Sequence, residues 1–86
     1  RGIHLCGEID LIEILSFCFT GFNIELLSII PEKSILEQVE QEKGPTFPKL
    51  KSGELIMLAS FEHRTLIIEM LEKKGLSKDK HWILFS

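Results

Sequence analysis

Four short apolar runs alternate with three amphipathic stretches along this chain. Residues 3–6 (Ile-His-Leu-Cys) read as a short strand stopped by Gly7. From Asp10 to Phe19 the spacing turns helical. Leu11, Ile12, Leu15, Cys18 and Phe19 make an apolar face, and Asp10, Glu13, Ser16 and Thr20 a polar stripe. Gly21 stands where a C-terminal glycine cap belongs. Residues 24–30 are almost continuously apolar, as in a parallel strand buried on both faces, and Pro31 stops them. Ser34 and Glu37 have the spacing of a capping box, predicting a helix through Glu42 with Ile35, Leu36 and Val39 inward. Residues 44–48 (Gly-Pro-Thr-Phe-Pro) are a loop. Residues 55–59 form a third buried strand, and Ser60 is placed to cap a helix over 62–74. That helix presents Leu66, Ile67, Met70 and Leu71 on one face and pairs Glu69 with Lys73. Gly75-Leu76 matches a left-handed cap with its hydrophobic latch, and residues 82–85 supply a fourth strand.

The order is β-α-β-α-β-α-β without internal repeats. Strict alternation predicts an α/β fold: a Rossmann-like three-layer domain with a four-stranded parallel sheet in strand order 2-1-3-4. Residues 1–86 read as a single domain that starts and stops inside secondary structure, as expected of one excised from a larger protein. In that order strands two and four are the sheet edges. Between them they carry one charge, Glu25, so the pattern predicts that an edge is covered by a second copy or by a neighbouring domain.

Composition narrows the function classes. Of 86 residues, 44% are hydrophobic, which gives a small domain a rich core. Ten basic residues against thirteen acidic ones leave a net charge of -3, and the lysines near the C-terminus are interleaved with acids. Nucleic-acid binding needs a basic stripe, so nucleic acid is not an expected partner. The longest apolar stretch, 11–22, contains Glu13, Ser16 and Thr20 and falls short of the ~20 residues of a bilayer span. Arg1-Gly2 leads directly into an apolar strand rather than a leader. Cys6 and Cys18 lack CxxC spacing and occupy apolar positions, which points to buried thiols in a reducing cytoplasm.

Several segments together resemble a known family. They are Gly7-Glu8-Ile9 after the first strand, the apolar second strand, Leu55-Ile56-Met57-Leu58-Ala59-Ser60, and Leu71-Glu72-Lys73-Lys74-Gly75-Leu76 followed by Trp82-Ile83-Leu84. The chain resembles the small Rossmann-like domains of sugar and polysaccharide biosynthesis proteins, such as those of sugar O-acyltransferases, nucleotide-sugar dehydratases and the C-terminal part of sugar C-methyltransferases. The resemblance implies a nucleotide or nucleotide-sugar site at the carboxyl ends of the strands. In that family the first turn reads Gly-x-Gly-Glu. Here Leu5 stands at the first glycine position and only Gly7 and Glu8 match. The ribose-binding acid at the end of the second strand falls at Pro31, with Glu32 one step late. Glu8 and Asp10 also put negative charge at a helix N-terminus that would otherwise face a phosphate.

The remaining chemistry-bearing residues form no complete set. Cys6 ends the first strand, where a helix N-terminus activates thiolates in some phosphatases and phosphoryl carriers. The arginine or small hydroxyl residues those sites require are missing from the following loop. His63 and His81 fall at opposite ends of the sheet and cannot share a metal, and His4 reads as a strand histidine with a satisfied ring. Ser60 and His63 are near in sequence, but a hydrolase also needs an orienting acid and an oxyanion hole. The expectation is therefore an accessory or interaction domain with no catalytic residues, metal or cofactor. It would pack against a neighbouring domain of its parent protein or a second copy. The alternative is the NAD- or nucleotide-sugar-binding half of an enzyme. The two readings differ at a crevice formed by Gly7, Glu8, Glu32, Ser60, Phe61 and His63.

Overall fold

The computed structural model describes residues 2–85. In chain order the elements are β1 (Gly2–Gly7), α1 (Ile9–Phe19), β2 (Glu25–Pro31), α2 (Glu32–Gln38), β3 (Glu54–Ala59), α3 (Arg64–Lys73) and β4 (Trp82–Leu84). All strand pairs are parallel, in the order β2-β1-β3-β4. The Rossmann-like order expected from the alternation is the one observed.

The helices divide unequally between the two sheet faces. Ile35 of α2 and Ile67 and Leu71 of α3 pack with Cys6, Ile56, Leu58 and Trp82 in one core. Ile12, Leu15 and Phe19 of α1 pack with Ile3, Leu5 and Ala59 in the other. β1 is buried along its full length because it has a strand on each side and helices above and below. Each Leu or Ile fully enclosed this way contributes about 1.5–3 kcal/mol of transfer free energy.

The chain leaves α3 as expected. Gly75 has φ +79, its N–H donates to Glu72 O and the Leu76 N–H donates to Leu71 O, which is the Schellman pattern. Leu76 then packs against the core that holds Leu71.

Several local expectations are corrected. Gly21 is not the left-handed cap of α1: the helix closes at Thr20, whose backbone stays right-handed, and the hydroxyl of Thr20 donates to Phe17 O. Ser34 is not an N-cap. α2 starts directly after Pro31, whose fixed φ already suits a helix entry, and Ser34 Oγ donates back to Pro31 O from within the first turn. α2 also ends at Gln38 rather than Glu42. Ser60 does not cap α3, which begins at Arg64 behind His63. Among the described residues Glu69 and Lys73 make no ion pair. β2 is not buried on both faces: as an edge strand it has no buried residue, and Ile29 is exposed. Cys18, expected inside, is exposed while Cys6 is buried. No helix among the described residues is long and apolar enough to cross a membrane.

Candidate functional site

The carboxyl ends of β1, β2 and β3 bring together five residues singled out from the sequence. Gly7 ends β1, Glu8 precedes α1, Glu32 opens α2, Ser60 follows β3 and His63 precedes α3. Gly7 is required by geometry. Its φ is +150, and a Cβ there would overlap the backbone carbonyl of Ala59 on the neighbouring strand. That close approach lets the Glu8 N–H donate to Ala59 O at 2.9 Å, which turns the chain toward α1.

Two carboxylates then lie across the crevice. Glu8 Oε2 accepts the Phe61 N–H at 3.1 Å, linking the loop after β1 to the loop after β3. Glu32 Oε2 accepts the Ser60 hydroxyl at 2.8 Å, reaching from the end of β2 past the end of β1. Ser60 is buried, so a lost partner there would carry a desolvation cost. Among the described residues His63 bonds to neither Ser60 nor a carboxylate. Instead the Arg64 Nε donates to Ser60 O at 3.1 Å, and the guanidinium sits 5.6 Å from the centre of the Phe61 ring. The sequence brought Ser60 and His63 together as a pair; the structure pairs Ser60 with Glu32. Within the crevice the open space lies on the β2 side. It is a cleft of about 470 Å³ lined by Gly7, Glu8, Ile9, Asp10, Pro31, Glu32 and Lys33.

Cys6 sits beneath this crevice with no solvent exposure. Burial, with a smaller push from the Glu32 charge, raises its thiol to about 12, so no thiolate forms near neutral pH. The sequence position that suggested a reactive cysteine holds a packed one.

A second polar group spans the sheet below the crevice. His4 Nδ1 is 2.6 Å from Ser28 Oγ and Nε2 is 3.3 Å from Glu54 Oε1. A carboxylate can only accept, so Nε2 carries the proton and, in the neutral ring, Nδ1 accepts from the serine. The hydroxyl–imidazole–carboxylate order is that of a hydrolase relay, but it ties β2, β1 and β3 together across the sheet, from the middle of β2 to the start of β3, away from the crevice. Its origin is a register shift. Ile3 pairs with Leu26 and His4 with Ser28, so Leu27 is skipped and the serine faces the imidazole.

No family model, curated protein or solved structure matches this chain.

Proposed function

We propose that this chain is a non-catalytic Rossmann-like accessory or interaction domain of a larger, sugar- or polysaccharide-related protein. The reading is carried by one observation: two donors on the β3 side of the crevice are already held by the protein's own carboxylates. Glu8 holds the Phe61 N–H and Glu32 holds the Ser60 hydroxyl. The charges point the same way. A helix N-terminus attracts an anion by about 0.3–1 kcal/mol. A single carboxylate ~4 Å from a phosphate charge opposes it by about 4 kcal/mol near a protein surface. Glu8, Asp10 and Glu32 line the cleft against one amine, that of Lys33. Repulsion wins.

A second reading, nucleotide or nucleotide-sugar binding, is favoured by cleft size. About 470 Å³ lies within the range of small-molecule sites, and Glu32 stands close to where a ribose-binding acid belongs. Titration calorimetry with NAD and with nucleotide diphosphate sugars separates the two. The proposed function expects no heat of binding. A micromolar Kd that weakens on Glu32→Ala would replace it with the second reading.

A further inference from the structure

We propose that two copies of this chain associate about a two-fold axis through an uncharged apolar patch on the C-terminal half of α1. The partner's helix then covers the sheet face that α1 leaves open. The proposal rests on the interaction-domain reading and names the surface and the partner.

The patch is defined by what lies beneath it. α2 and α3 share one face of the sheet, but α1 stands alone on the other, where Leu55, Met57 and Phe85 are only partly buried. Between α1 and these residues runs a groove of about 340 Å³, lined by Ile14, Leu15, Cys18, Phe19, Phe22, Ile24, Met57 and Phe85. Three of the four most exposed large apolar side chains among the described residues belong to this segment: Phe17 at 80%, and Phe22 at 67% and Ile14 at 60%, which also line the groove.

Three features select a second copy as the occupant. First, a two-fold contact requires one surface to carry both a projection and the hollow that receives it. Here Phe17 projects and is not part of the groove wall, while the groove lies next to it on the same helix. Second, such a contact sets every charge near the axis against its own copy. Residues 14–24 contain no Asp, Glu, Lys or Arg, so nothing is repelled. The nearest charges, Glu13 and Glu25, are both acidic, which argues against an anionic lipid surface as the partner. Third, the apolar area is substantial. Phe17, Phe22 and Ile14 expose on the order of 400 Å², half of the ~800 Å² per partner found in stable interfaces.

Sedimentation velocity across a dilution series of the intact chain tests this. The wild type is expected to show a monomer–dimer equilibrium, and Phe17→Glu to weaken it at least about tenfold, as loss of a central aromatic anchor does. Glu69→Lys, an exposed position on α3 behind the opposite face, is expected to leave it unchanged. Phe17 is mostly solvent-exposed, so circular dichroism should show the variant folded. An independent readout is alkylation of Cys18, which lines the groove: its rate should fall as wild-type concentration rises and stay constant in Phe17→Glu. A wild type that is monomeric at every concentration overturns the proposal. So does a dimer that Phe17→Glu leaves intact. A monomer that binds no nucleotide sinks the dimer alone, whereas nucleotide binding sinks the accessory-domain reading whatever the oligomeric state.

Discussion

On one face of the sheet Cys6, Ile56 and Leu58 are shut away between Ile35 of α2 and Ile67 and Leu71 of α3. On the other, α1 shields Ile3 and Leu5, while Leu55, Met57 and Phe85 keep part of their surface in solvent. The two faces do not differ in the apolar character of their strand residues. They differ because three crossovers must be shared between two sides. The step from β1 to β2 runs one way along the sheet, and the steps to β3 and β4 run the other. With crossovers of one hand, that places one helix on the first side and two on the second. The lesson is that connection order sets which surface is left for association.

Chemistry should expose this difference most sharply. Cys6 lies on the two-helix face, with its thiol pushed up to about 12, and Cys18 is exposed on α1 beside the open groove. Alkylation of dilute protein at mildly alkaline pH should modify exposed Cys18 and leave Cys6 essentially untouched, because burial both shields the Cys6 thiol and disfavours its thiolate. Mass spectrometry of the products gives the ratio. Comparable rates would mean that the two-helix face opens readily.

Stability is the next measure. Leu71→Ala, in the closed core, should cost about 2–5 kcal/mol in urea unfolding. Phe17→Ala, measured at concentrations too low for association, should stay within ~0.5 kcal/mol of wild type. A large loss at Phe17 in the monomer would show that the α1 face is already covered within one chain.

The smallest effect is expected from the Ser28–His4–Glu54 strap across the strands. The Lys51 N–H and then the His4 ring hold the Glu54 carboxyl below the usual glutamate range. A carboxyl lowered in the folded state adds stability above its unfolded value of ~4.3, and that stability is lost as pH falls through the folded value. Unfolding midpoints should therefore drop below about pH 4.3, and Glu54→Gln should flatten that part of the profile. An unchanged acid limb in the variant would remove Glu54 from the account.

Much of the architecture was legible before any coordinates. The apolar runs around Leu5, Ile30, Leu58 and Ile83 lie in the four strands, and Gly75-Leu76 closes α3 as its local pattern implied. Cap assignments were less legible. Ser34 and Ser60 have the right residue type at a plausible spacing, but Pro31 could start α2 earlier and Glu32 could claim the Ser60 hydroxyl. Residues that gather at the crevice were also readable, since strand ends in this order must meet there. What they do to one another was not, because Glu8 and Phe61 are 53 positions apart and bond only once β1 and β3 are side by side.

The sequence by itself determined the alternation of strands and helices and the parallel order. These follow from local periodicity and backbone sterics, which act over a few residues. Tertiary structure alone decided that Glu8 would hold the Phe61 N–H and Glu32 the Ser60 hydroxyl, that a skipped Leu27 would turn Ser28 toward His4, and that Phe17 and Cys18 would be exposed. Each of those depends on which distant segment lies alongside, and a helix's apolar residues are buried only where the topology gives them something to cover.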